Sequence, residues 1–243
     1  LKTTEHLYHQ NQDLQQFNYI VSHNLRAPVA NLVGLSNILQ RLDRNTARFT
    51  EGLQNLETSA RRLDDVISDL NKILAVRSSN LQAAHEMVSL SEVAAEVTQC
   101  LQHLLSLNAG TIVLNLRKDD LLWANRAYVY SILHNLISNA IKYKSTHRDL
   151  LIEVNSVREK DSLQLQIRDN GSGMDLQRVK PHLFQLYRRF HPGPEGKGIG
   201  LYLVKMQMNA IGGKIEVDSA PELGTIFTLH FKNATYGPQG LHN

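Results

Sequence analysis

Two runs of apolar residues, each repeating at intervals of three and four, constrain the first third of this 243-residue chain more than any other feature. From Leu7 onward the first run reads Leu14, Phe17, Val21, Leu25, Pro28, Leu32, Leu35, Leu39 and Leu42. The second reads Leu53, Leu56, Ala60, Leu63, Ile67, Leu70 and Leu74. That spacing lines one side of an α-helix with apolar groups. Asp43-Arg44-Asn45-Thr46 breaks the pattern, so the second helix can fold back on the first. Two helices make a poor core, and pairing two hairpins as a four-helix bundle would cover what remains, so a homodimer is expected. Periodicity alone would serve a coiled-coil spacer equally well.

Beyond a polar, serine-bearing stretch at 77–86 the pattern changes. Ser89 with Glu92 fits a capping box opening a helix through about Leu107. Strand-like runs follow at 111–116, 150–157, 162–168, 214–218 and 225–231, with helices near 126–143 and 199–211, the latter ended by Gly212-Gly213. The expected fold class is therefore an all-α helical hairpin, a four-helix bundle as a dimer, followed by an α+β two-layer sandwich with a mixed, mostly antiparallel sheet. The expected division is 1–80 for the hairpin, 81–86 for a linker, 87–233 for the sandwich and 234–243 for a tail.

A net charge of +3 with scattered Lys and Arg gives no nucleic-acid footprint. Cys100 is the only cysteine, which excludes an internal disulfide or a cysteine-based metal cluster and suits a reducing compartment. No apolar run approaches the roughly 18 residues of a membrane-spanning helix. The chain starts at Leu1 with an amphipathic stretch under way, as a fragment of a longer protein would, with any sensor domain upstream.

Four constellations carry chemistry. His23 lies two positions from both Val21 and Leu25, so the helix turns it away from the seam, while Pro28 removes a backbone hydrogen bond and should bend the helix nearby. Asn135, Asn139 and Lys142 share one helix face: amide oxygens can ligate Mg²⁺ beside phosphates, a lysine neutralises phosphate charge, and Tyr143 can lie against a base. Asp169-Asn170-Gly171-Ser172-Gly173 ends a strand, where a carboxylate beside glycines can accept a hydrogen bond from an exocyclic amine. Gly196-Lys197-Gly198-Ile199-Gly200-Leu201 leads into a helix whose free N–H groups suit phosphate, yet it neither follows a strand nor ends in Gly-Lys-Ser/Thr, so a mobile lid fits better than a P-loop. Singly, each also reads as an inert surface histidine, a polar helix face, an ordinary turn or a flexible loop.

Together, in this order, they resemble a sensor histidine kinase of two-component signalling over nearly the whole chain. Phe17 to Pro28 resembles the H box, Asn135 to Tyr143 the N box, Asp169 to Gly173 and Gly196 to Leu201 two glycine boxes, Leu183 to Phe190 the F box, and Gly224 to Phe227 the last glycine box. The resemblance implies a dimerisation and histidine-phosphotransfer hairpin joined to an ATPase-like domain shared with gyrase and Hsp90. It implies ATP and Mg²⁺ as cofactors, with Asn139 on the metal. The nucleotide would lie among Asn135, Asn139, Lys142, Tyr143, Asp169, Gly171, Gly173, Tyr187, Arg188, Gly196, Lys197, Gly198, Ile199, Gly200, Leu201 and Thr225. His23 would take the γ-phosphoryl group, with Asn24, Asn135 and Lys142 as further catalytic residues, and pass it to an aspartate of a response-regulator receiver domain. A cytoplasmic setting is implied, as the soluble part of a sensor that is either soluble or membrane-bound.

Three positions refine that expectation. Asn135 stands where gyrase-like hydrolases carry a water-activating glutamate, and an amide cannot take a proton from water. Asn24 stands where the family usually has Glu or Asp, and losing general-base help typically costs about 10²–10⁴-fold in rate. Ala27 stands where related kinases often align a water with Thr or Asn, so weak phosphatase activity is expected. An ATP-binding scaffold that transfers no phosphate, and a gyrase-like ATPase with a dimerising hairpin, are the competing readings.

Overall fold

The computed structural model describes residues 2–78, 85–159, 162–187 and 198–232, with side chains over slightly narrower spans that begin at Val21. The chain divides into two compact units, Leu1–Arg77 and Ser78–Asn243.

The first unit is a helical hairpin of α1 (Lys2–Leu39) and α2 (Ala47–Ser78). Its turn is local side-chain chemistry. Asp43 Oδ1 accepts from the Asn45 N–H at 3.0 Å, and Thr46 Oγ1 accepts from the Phe49 N–H at 3.2 Å, capping α2. A Cβ on Gly52 would come within 2.8 Å of Leu39 Cδ2, so the helices approach closely beside the turn. Pro28 lies inside α1, which runs on through it.

The second apolar run is divided between two flanks of α2. Leu56, Leu63 and Leu70 are at least half-covered, as expected, but Leu53, Ile67 and Leu74 are 46%, 45% and 48% exposed. Ser59, Val66 and Ile73 take their places on the covered side. The apolar stripe of α2 is wider than one seam, so one flank is covered within the chain and the other is not. Leu14 and Phe17 fall outside the described side chains.

In the second unit, β1 (Glu86–Ser89) leads into α3 (Leu90–Leu107), where Ser89 Oγ accepts from the Glu92 N–H at 3.4 Å as the capping pattern requires. Then come β2 (Gly110–Asn115), β3 (Leu121–Ala124), α4 (Arg126–Lys142), β4 (Leu150–Glu159), β5 (Ser162–Asp169), α5 (Leu176–Val179), α6 (Gly200–Ala210), β6 (Lys214–Ala220) and β7 (Gly224–Lys232). The main sheet runs β2-β4-β5-β7-β6, parallel only between β2 and β4. β1 and β3 form a separate antiparallel pair that lies outside the strand runs expected from the sequence, and β1 takes in Glu86, the last residue of the expected linker. Helices α3, α4 and α6 share one apolar core with a single face of the sheet, including Leu101, Ile137, Ile152, Leu165, Val204 and Leu229. The sandwich is mixed and mostly antiparallel, as its patterning implies.

Candidate active site

Strand alternation places the central carboxylate. In β5, Leu163, Leu165 and Ile167 point into the core, and with a period of two the next inward position is Asp169, which is only 8% exposed. Thr225 of β7 is its cross-strand partner and is also buried. Burial pushes the Asp169 carboxyl up to about 6, against two backbone hydrogen bonds, from Gly171 and Thr225, that pull it down. The Gly171 N–H bond to Asp169 Oδ1 measures 2.8 Å.

The loop after Asp169 is held from three sides. Ser172 donates to the Tyr143 carbonyl from its N–H at 2.9 Å and from Oγ at 3.0 Å, which fastens the loop to the end of α4. The Asn170 side chain clasps the start of β4, accepting from the Leu151 N–H at 2.8 Å and donating to the Asp149 carbonyl at 2.9 Å. Opposite, the β6–β7 turn donates from the Glu222 N–H to the Ser172 carbonyl at 2.7 Å. Glycine is required at two points of this arrangement. Gly173 has φ +63 and a Cβ there would lie 1.9 Å from the Ala220 carbonyl oxygen, while Gly224 has φ +87 and its Cβ would lie 2.0 Å from the Asp169 carbonyl oxygen.

On α4, Asn135, Asn139 and Lys142 are half-buried, between the buried positions Leu136, Ile137, Ala140 and Ile141. Asn135 Nδ2 donates to the Ser131 carbonyl at 2.8 Å, which leaves Oδ1 directed toward α6: a Cβ on Gly200 would meet it at 2.9 Å. Lys142 Nζ sits 4.9 Å from the Tyr143 ring centroid, so the two residues assigned to phosphate and base lie against one another. Gly200 opens α6, which has no side-chain cap. Ile199 is buried and Leu201 packs on the core, so what they offer a ligand is backbone N–H. Tyr187, in a left-handed conformation, donates its N–H to the Gly198 carbonyl at 2.9 Å. Arg188, Gly196 and Lys197 lie outside the described residues.

Within the second unit the fold thus brings together Asp169, Gly171, Thr225 and Tyr143 at one loop cluster, and Asn135 with Gly200. These groups fit an adenine nucleotide: a buried carboxylate for an amine, uncapped N–H groups for phosphate and neutral amides for a hard cation. Among the described residues no group of three His, Cys, Asp or Glu could hold a metal. In the hairpin unit, His23 is exposed, Asn24 beside it is half-buried and Ala27 is exposed. Sequence reading missed Asn170, Ser172, Ser219, Glu222 and Arg148 as organisers of the loop. Their partners are up to 74 residues away, so no local spacing could have found them.

Residues 13–73 match the His Kinase A (phospho-acceptor) domain family, and residues 124–235 match the histidine kinase-, DNA gyrase B- and HSP90-like ATPase family. The chain is 28% identical to the sensory/regulatory protein RpfC of Xanthomonas campestris pv. campestris, across 95% of this chain and 33% of that protein. Among solved structures, Acinetobacter baumannii histidine kinase AdeS superposes with a TM-score of 0.66 at 21% identity, covering 87% of this chain and 98% of that one. Histidine kinase ThkA in complex with response regulator protein TrrA gives 0.68 at 17% identity, covering 96% and 65%. The chain spans 24% to 49% of the length of curated relatives it matches. With a phospho-acceptor domain around His23 followed by an ATPase domain around Asp169, the chain belongs to the sensor histidine kinases of two-component signalling.

Proposed function

We propose that this chain is the ATP-dependent autokinase core of its protein, phosphorylating His23 and passing the phosphoryl group to an aspartate of a response-regulator receiver domain. The observation that carries this reading is the pairing, in one chain, of an exposed His23 in a phospho-acceptor domain with a buried Asp169 carboxylate in an ATPase domain. ThkA, which shares the fold, occurs in a complex with a response regulator, and that favours a partner of the same kind.

Asp169 would accept adenine's amine, Lys142 and the α6 N-terminus would hold phosphate, and Asn139 would hold Mg²⁺. The bound Mg-nucleotide supplies the phosphoryl group and the charge neutralisation that lets it move. The imidazole of His23 is the nucleophile, and Asn24 offers an amide oxygen to orient the ring without a full negative charge. Slow but real autophosphorylation follows. Asn135 cannot activate water, so histidine rather than water is the acceptor. Ala27 offers no group to align a water, so phosphatase activity toward the response regulator is weak, and Ala27→Thr raises it.

Dimerisation uses the apolar flank left open on the hairpin, with Leu53, Ile67 and Leu74 on α2 and Val29, Val33 and Ile38 on α1. A sensor domain upstream sets the activity. No helix among the described residues is long and apolar enough to cross a membrane.

The test is incubation with γ-labelled ATP and Mg²⁺, comparing wild type with Asn24→Asp. Acid-labile label in wild type and more of it in Asn24→Asp supports the kinase. ATP binding with no label in either protein would favour a scaffold that transfers nothing, the outcome that the missing carboxylate at Asn24 would explain.

A further inference from the structure

Arg148 sits in the loop between α4 and β4, outside every motif of the sequence, yet its guanidinium reaches three backbone carbonyls on two separate loops. Nε donates to the Asn170 carbonyl at 2.7 Å, and one terminal nitrogen donates to the Gly171 carbonyl at 3.2 Å. The same nitrogen donates to the Glu222 carbonyl across the β6–β7 turn and lies 3.8 Å from the Glu222 carboxylate. Gly171, whose carbonyl it holds, is the residue whose N–H binds Asp169 Oδ1. A planar five-donor fork suits such convergent acceptors, and a lysine ammonium cannot reproduce it.

The surroundings leave the loop few other restraints on that side. Glu222 is itself in a left-handed conformation with φ 62, and beyond its N–H bond to Ser172 the turn is tied in through Ser219, whose Oγ accepts from the Met174 N–H and donates to the Gly224 carbonyl, each at 2.8 Å. Removing Arg148 would leave the Asn170 and Gly171 carbonyls with water in place of a fixed charge, and the peptide carrying the Gly171 N–H held only through the flanking Asn170 and Ser172 bonds, with its carbonyl side no longer fixed.

We propose that Arg148 is a positioning residue for base recognition: by clamping the Asn170 and Gly171 carbonyls to the β6–β7 turn it sets the direction in which the Asp169 carboxylate meets adenine. It touches no reacting atom. The inference rests on Asp169 being the adenine-binding carboxylate, and its consequence is selectivity. ATP presents an amine to that carboxylate, whereas its inosine analogue presents a carbonyl, which a carboxylate repels.

The experiment measures dissociation constants of ATP and of inosine triphosphate for the whole chain and for Arg148→Ala, Arg148→Lys and Asp169→Asn, alongside thermal melting. The expected result is a loss of about tenfold in ATP affinity in Arg148→Ala, about 1.4 kcal/mol, with inosine triphosphate affected far less and Arg148→Lys intermediate. A change in stability alone would not move that ratio. An unchanged ratio in both Arg148 variants overturns the proposal, even if both affinities fall together. Should Arg148→Ala not fold, Arg148→Lys decides by the same ratio. If Asp169→Asn leaves the wild-type ratio unchanged, the adenine assignment of Asp169 is wrong and the role of Arg148 falls with it.

Discussion

The two units of this chain handle apolar surface in opposite ways. The ATPase unit closes one core from α3 to β7, with Ile137, Ile152, Leu163 and Leu229 wholly buried, and sets its carboxylate at the rim of that core. The hairpin leaves Leu53, Ile67 and Leu74 about half-exposed along one helix and carries His23, the proposed acceptor, on an exposed position. A nucleotide site needs fixed groups around a small ligand, which a closed core provides. An acceptor that must meet both an ATP site and a partner protein needs reach, and a helix surface provides that. The difference makes one unit sensitive to changes of backbone and the other sensitive to changes of surface.

The largest effect should come from Gly173→Ala. The new Cβ would overlap the Ala220 carbonyl and φ is positive, so the ATPase unit loses about 3–5 kcal/mol, read by urea unfolding. Ile67→Asp tests the other unit. An unpaired carboxylate buried between two hairpins costs several kcal/mol, so the dimer dissociation constant rises about a hundredfold in sedimentation experiments while ATP affinity holds. A fall in ATP affinity with an unchanged dimer dissociation constant would contradict the place of Ile67 on the dimer seam.

Asp169 gives a subtler contrast. Its carboxyl is raised from an ordinary 3.8 to about 6 by burial, so the folded state is penalised for carrying the charge. That residue's contribution to stability is therefore full at pH below the ordinary value and is lost as pH climbs through about 6. ATP affinity runs the other way, because the carboxylate is the form that accepts an amine. Asp169→Asn flattens both slopes, measurable by denaturant titration and nucleotide binding at about pH 5 and about pH 8. The smallest effect belongs to the hairpin: a Cβ on Gly34 meets nothing within 4 Å, so Gly34→Ala in mid-helix should add up to about 1 kcal/mol. A loss instead would place a close neighbour at Gly34 in the dimer.

Much of this was legible because local periodicities carry it. The inward phase of Leu163, Leu165 and Ile167 leads directly to Asp169, and Ser89 with Glu92 marks the start of α3 where the structure has it. What escaped had no local signal. Strands β1 and β3 are four residues each, too short for an alternation to stand out. The apolar stripe of α2 serves two surfaces, and sequence spacing cannot tell which flank the chain itself covers. Arg148 acts on carbonyls 22, 23 and 74 residues away, through contacts that only the folded sheet creates.

The central claim is that His23 takes a phosphoryl group from a nucleotide held by Asp169, and labelling His23→Ala and Asp169→Asn side by side with γ-labelled ATP tests it most directly. The account predicts that His23→Ala binds ATP like wild type and takes no acid-labile label, while Asp169→Asn keeps the acceptor but labels only at raised ATP concentration. Acid-labile label persisting in His23→Ala, or Asp169→Asn labelling like wild type at low ATP, would contradict it.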